Sequence, residues 1–162
     1  MPEVFSSITK PDPSPNIARR LLGARGEEFA AGYIEENGYR IVLSNFIVPV
    51  GRNSRGAQVT GEIDLIALDG ETLCFVEVKT RRSGEIASPT ANVDLRKQRQ
   101  IIRTARVYRR IFNVWDRQHR YDVVSIVMPT DSDPQIELLK DFWTDNKFKK
   151  RSWQRESWQE FI

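Results

Sequence analysis

Two short apolar runs joined by a tight-turn signal constrain this chain most. The runs are Ile63-Asp64-Leu65-Ile66-Ala67-Leu68 and Thr72-Leu73-Cys74-Phe75-Val76-Glu77-Val78-Lys79, and Asp69-Gly70 lies between them. Asp-Gly between apolar runs is a strong hairpin signal, so the two runs are expected to be antiparallel neighbours. Strand side chains alternate faces, which puts Glu77 and Lys79 on one face and Val76 and Val78 on the other. Counted back from the turn, Asp64 falls level with Glu77. One sheet face then collects two carboxylates and an ammonium.

The flanking sequence supplies helices and further strands. Apolar residues recur at helical spacing from Ile17 to Asn37, with Gly38 as the stop; Gly23 and Gly26 weaken the case for one unbroken rod. Tyr39 to Phe46 reads as a strand. Pro49 to Thr60, rich in Gly, Asn, Ser and Arg, reads as an irregular loop, and Ser83 to Asn92 as another. Val93 to Phe112 has a long helical pattern. Tyr121 to Met128 reads as a covered strand, Pro129 to Pro134 as an acidic turn, and Ile136 to Leu139 as a last edge strand. The order helix, three strands, helix, strand predicts an α/β fold with a mixed central sheet flanked by helices. Four of the eight prolines fall in the first sixteen residues, which read as a flexible arm. The expected organisation is thus an arm over 1–16, a domain over 17–140, and a basic and aromatic tail over 141–162 docked on that domain.

A chain of 162 residues builds one domain with a sizeable core. Cys74 is the only cysteine, so no intramolecular disulfide forms, and a reducing, cytoplasmic setting is expected. No apolar run reaches bilayer length, and Met1-Pro2-Glu3-Val4-Phe5 has no signal-peptide pattern. The net charge is +3 and the pI near 9.2, a mild basic bias whose placement matters more than its size.

Two nearby carboxylates repel unless a cation lies between them. Mg²⁺ or Mn²⁺ would relieve Asp64 and Glu77, since Mg²⁺ needs only a couple of carboxylates plus waters and a substrate phosphate. Lys79 would position water and oppose charge on a phosphate. Glu27 joins this set, because it shares a helix face with Ala30 and Ile34, whereas Glu28 lines up with Gly32 and Glu35 toward solvent. The alternative is a cross-strand salt-bridge cluster. Around this corner lie many bases. Arg99, Arg103, Arg106 and Arg110 form a stripe at helical spacing with few acidic partners, which suits a nucleic-acid backbone. Arg81 and Arg82 follow the second run and suit a phosphate, as do Arg52 and Arg55 in the glycine-rich stretch. His119, the single histidine, supplies no zinc site and reads as a surface loop residue.

These blocks resemble a known family. Gly26-Glu27-x-x-Ala30, Tyr33-Ile34, Gly38-Tyr39-x-Ile41 and Asn45 are similar to the opening of the YraN-like proteins, uncharacterised protein family 0102. Gly61-Glu62-Ile63-Asp64-Leu65-Ile66-Ala67 and Phe75-Val76-Glu77-Val78-Lys79-Thr80-Arg81 resemble its two signature blocks. Lys97 and Tyr121-Asp122-Val123-Val124 resemble its later half, so the likeness spans roughly residues 18 to 128. The resemblance implies a restriction-endonuclease-like, PD-(D/E)xK core near the archaeal Holliday-junction resolvases. It implies a site of Glu27, Asp64, Glu77 and Lys79, with Lys97, which is counted among the nucleic-acid-binding bases of the second helix, facing that site. The expected function is a divalent-metal-dependent endonuclease on DNA, branched or otherwise structured, with two copies needed if the substrate is a junction. The competing readings are a non-catalytic nucleic-acid-binding protein on the same fold, and a protein-interaction subunit. The stretch Val48 to Thr60 is longer than the family's usual link, and the arm and tail fall outside the likeness.

Overall fold

A computed structural model describes residues 15–83, 93–129 and 132–148. The arm up to residue 14, residues 84–92, part of the acidic turn, and the tail from residue 149 lie outside the described residues. Helix α1 (Pro15–Glu36) leads into strands β1 (Tyr39–Arg52), β2 (Gln58–Asp69) and β3 (Thr72–Arg82). Helix α2 (Leu95–Ile111), β4 (His119–Met128), β5 (Gln135–Trp143) and a short 3-10 turn (Asp145–Phe148) follow. The five strands form one sheet in chain order, antiparallel except for the parallel pair β3–β4. Parallel neighbours need a crossover, and α2 is that crossover.

The hairpin forms as its turn chemistry requires. Asp69 pairs with Thr72, Leu65 with Val76, and Gly70 takes a positive φ of 57°. Alternation then splits the core into two layers. Ile66, Phe75, Tyr121 and Val123 pack with Ile101, Ala105 and Tyr108 of α2. Leu65, Cys74, Val76 and Val124 pack with Ala30 and Ile34 of α1. Among the described residues no helix is long and apolar enough to cross a membrane.

Four expectations are corrected. Helix α1 runs unbroken through Gly23 and Gly26. At Gly26 the missing side chain serves close packing, since a Cβ there would meet Thr80 Oγ1 at 1.8 Å. The stretch Pro49–Thr60 is mostly strand, not loop: β1 and β2 stay paired to Arg52–Gln58, with a register shift between Pro49 and Gly51. Pro49 is tolerated because β1 is an edge strand, and the breaker-rich composition masks the pairing. Only the short turn from Asn53 to Ala57 is irregular, and there the Asn53 side chain accepts from the backbone N–H of Arg55 and Ala57 at 3.0 and 2.9 Å. His119 begins β4 instead of lying in a surface loop. The last strand runs on to Trp143, whose indole is buried against Tyr121.

A buried polar network braces the turn end of the sheet. Asp122, fully buried, accepts from the Tyr39 hydroxyl at 3.1 Å, Arg120 Nε at 3.0 Å and the Asp141 backbone N–H at 2.9 Å. The Arg120 guanidinium also donates to Asp69 at 2.5 Å and to the Tyr39 hydroxyl at 2.6 Å. Nothing in the spacing of these residues along the chain marks them as a network.

Candidate active site at the fork between β2 and β3

Strands β2 and β3 pair only as far as Leu65–Val76, and one step beyond they part. Asp64 sits at this fork. Its Oδ2 accepts the Val78 backbone N–H at 2.7 Å, so a side chain occupies the place of a ladder bond. Glu77 stands beside it on β3, almost wholly buried at 2% exposure. Glu77 Oε1 meets the Lys79 ammonium at 2.8 Å. Its Oε2 lies 3.2 Å from the Lys97 ammonium, a charge contact that pairs this buried oxygen from the helix side. The structure thus brings Asp64, Glu77, Lys79 and Lys97 together.

Glu27 approaches from the other layer. It is half-buried on the face of α1 that carries the buried Ala30 and Ile34, while Glu28 is exposed. It lines an open cleft of about 720 Å³ together with Ile17, Arg20, Leu21, Gly23, Ala24 and Glu62. Its charge reaches Asp64. Burial, and then the Glu77 carboxylate, push the Asp64 carboxyl up to about 7, against the opposing pull of the Val78 N–H and Lys97. Burial works against the charge of Lys97, but the carboxylates of Glu77 and Asp64 outweigh it and hold its ammonium above the usual lysine range.

The expected nucleic-acid residues divide into groups. Arg99 and Arg103 are exposed on α2 and line a groove against Val50 and Val59 of the β1–β2 arm. Arg96, which the predicted stripe omits, lines it too; its position three residues before Arg99 was the available signal. Arg106 stands 3.9 Å from Asp145, an acidic partner that the helical spacing does not reveal, and Arg110 is exposed near the end of α2. Arg52 donates to the Gly56 carbonyl at 2.7 Å and so braces the arm's tip beside the exposed Arg55. Arg81 and Arg82 continue β3 past Lys79. Two glycines hold the site's layers close: Gly26, next to Glu27, and Gly61, where a Cβ would meet Thr104 Oγ1 at 2.0 Å and Val50 Cγ1 at 2.7 Å.

Residues 26–126 match the family described as Uncharacterised protein family UPF0102. The chain belongs to this family. A UPF0102 protein of Geobacter sulfurreducens is 41% identical over 120 residues, covering 74% of this chain and 86% of its own length. One of Chlorobium limicola is 42% identical over 106 residues, 65% of this chain and 74% of that protein. One of Chlorobium chlorochromatii is 40% identical over 130 residues, 76% of this chain and 92% of that protein. The matched segment runs from the second half of α1 into β4, and the fold type is related to the restriction-endonuclease-like superfamily. Every residue of the fork lies inside the matched segment.

The donor set can be tested against a divalent cation. Among the described residues no group of three or more His, Cys, Asp and Glu side chains could hold a metal ion. A dedicated protein cage is therefore absent from them. A pair of crowded carboxylates fits Mg²⁺, which commonly takes one or two carboxylates and fills its other positions with water and phosphate. The raised Asp64 marks a carboxylate short of positive charge, whereas Glu77 already has the Lys79 and Lys97 ammonium groups at 2.8 and 3.2 Å.

Proposed function

We propose that this chain binds DNA across its arginine-bearing α2 face and hydrolyses phosphodiester bonds at the fork, as an endonuclease using Mg²⁺ or Mn²⁺. The observation that carries this reading is the pressing together of two buried carboxylates, Asp64 and Glu77, beside the Lys79 ammonium. Asp64 and Glu77 would hold the ion, with Glu27 reaching it through water. The ion, when bound, polarises the scissile phosphate and acidifies water. Val78 fixes the Asp64 carboxylate through its N–H. Lys97 balances Glu77 from the helix side, which leaves Lys79 to orient the attacking water and oppose charge on the phosphate oxygens. Branched or structured DNA is the substrate class, and cutting both strands of a junction would take two copies.

A second reading, a nucleic-acid-binding protein of the same fold without turnover, is favoured by one observation. Glu77 already has two ammonium neighbours and no third acidic or histidine ligand joins the pair among the described residues. Cleavage of junction, flap, duplex and single-stranded DNA with Mg²⁺ and Mn²⁺, beside calorimetric Mn²⁺ titration, decides between them. The endonuclease reading expects metal-dependent products from the native chain. Asp64→Asn should abolish cleavage and Mn²⁺ binding while DNA binding persists. Lys79→Ala should cut cleavage by about 10² or more while Mn²⁺ still binds. Persistent DNA binding with no products and no Mn²⁺ uptake by the native chain leaves the second reading.

A further inference from the structure

Beyond the fork, the paired ends of β1 and β2 leave β3 and lie as an arm against α2. Gln100 ties the two, its Nε2 donating to the Thr60 carbonyl at 2.7 Å. Between arm and helix runs a groove of about 270 Å³ lined by Val50, Val59, Arg96, Arg99, Gln100 and Arg103. Its two walls differ in chemistry. Half-buried Val50 and Val59 face it from neighbouring strands, and Arg96, Arg99 and Arg103 recur at helical spacing along the other side. The groove and the fork share the first turn of α2, where Arg96 lines the groove and the next residue, Lys97, contacts Glu77. Along β2, Val59 is five residues from Asp64, about 17 Å of strand.

We infer that this groove holds an unpaired stretch of nucleic-acid strand leading to the fork, so that the substrate has a single-stranded segment beside the bond to be cut. The inference rests on the endonuclease reading and names its substrate more closely. The space is small, just under the roughly 300–1,000 Å³ usual for a ligand cleft, which favours an unpaired strand over the bulkier duplex. An apolar wall facing arginines suits such a strand. Bases exposed by the lack of a partner lie against valine and guanidinium planes, while the same guanidinium groups meet the phosphates. In a duplex the base faces are stacked away, and Val50 and Val59 would meet charged backbone.

Fluorescence anisotropy in EDTA, with a labelled fifteen-nucleotide oligothymidylate and a duplex of the same length, tests this across a salt series. The native chain should bind the single strand about tenfold tighter than the duplex. Arg96→Gln/Arg103→Gln, both at exposed positions, should weaken single-strand binding by about tenfold and reduce the log–log salt slope by about 1.4, or about 0.7 for each phosphate no longer neutralised. Val59→Asp removes no arginine, and should weaken the single strand more than the duplex. Equal affinity for duplex and single strand overturns the groove assignment and leaves the endonuclease reading standing. So does unchanged single-strand affinity in the folded Arg96→Gln/Arg103→Gln variant. Binding of neither oligonucleotide by the native chain also overturns the groove assignment and leaves the endonuclease reading to the cleavage assay on branched DNA. Single-strand preference in a chain that cleaves nothing supports the groove and removes only the catalytic claim.

Discussion

Asp64 carries the clearest electrostatic conflict among the site residues. Its carboxyl titrates near 3.8 when unperturbed and is pushed to about 7 in the fold, by burial first and Glu77 second. The folded state therefore holds this proton more tightly than the unfolded state. The group's contribution to stability is full below about pH 4 and is lost as pH rises through about 7. The loss amounts to a few kcal/mol, on the order of one per pH unit between the two values. Asn keeps an oxygen for the Val78 N–H but carries no charge. In EDTA, Asp64→Asn should lose less stability than the native chain between pH 4 and 8, and should be the more stable protein at pH 8. Urea denaturation at several pH values reads this directly; parallel profiles for the two proteins would contradict the raised Asp64.

At the scale of elements, the site depends on how closely α1 approaches β3. Glu27 belongs to the helix and Glu77 and Lys79 to the strand, so the gap between those elements sets whether they act together. Gly26 sets that gap. An alanine there would place its Cβ 1.8 Å from Thr80 Oγ1 and 2.9 Å from Thr80 Cβ, and both elements are regular backbone that yields little. Gly26→Ala should cost roughly 1–3 kcal/mol of overpacking, against the small gain alanine brings to a helix. Thr80→Ala in the same chain should recover part of that loss, because it removes the Oγ1 contact and keeps the Cβ one. Chemical denaturation of the single and double variants measures the coupling, and simple additivity would show that Gly26 and Thr80 do not meet.

For the whole molecule, the opposite end of the sheet matters as much as the fork. Arg120 links Asp69 at the hairpin turn, Tyr39 at the start of β1 and Asp122 in β4, so one guanidinium joins three strands. Asp122 has no solvent exposure, and Tyr39 and the Asp141 N–H cannot by themselves balance its charge. Arg120→Met keeps the length and removes the cation. It should destabilise the fold by about 3–5 kcal/mol, the usual cost of stranding a buried charge. Asp122→Asn added to Arg120→Met should return much of that loss. A thermal melt of Arg120→Met close to that of the native chain would show that the network contributes little.

The sequence by itself determined the hairpin, the face shared by Glu77 and Lys79, the level of Asp64 and the helix face of Glu27. These follow from short-range rules: an Asp-Gly turn, a strand period of two and a helical period of 3.6. The same rules made the family likeness readable, since its blocks lie where local geometry is strict. Only the tertiary structure decided where β2 leaves β3, because a strand's separation from its neighbour leaves no periodic trace along either strand. It also decided that the Pro49–Thr60 stretch is a paired arm, where contact with α2 at Gln100 and Gly61 overrides a breaker-rich composition. The groove, the pairing of Arg106 with Asp145 and the Arg120 network each join residues far apart in the chain. Their partners were set by packing, which one sequence read along its length does not encode as spacing.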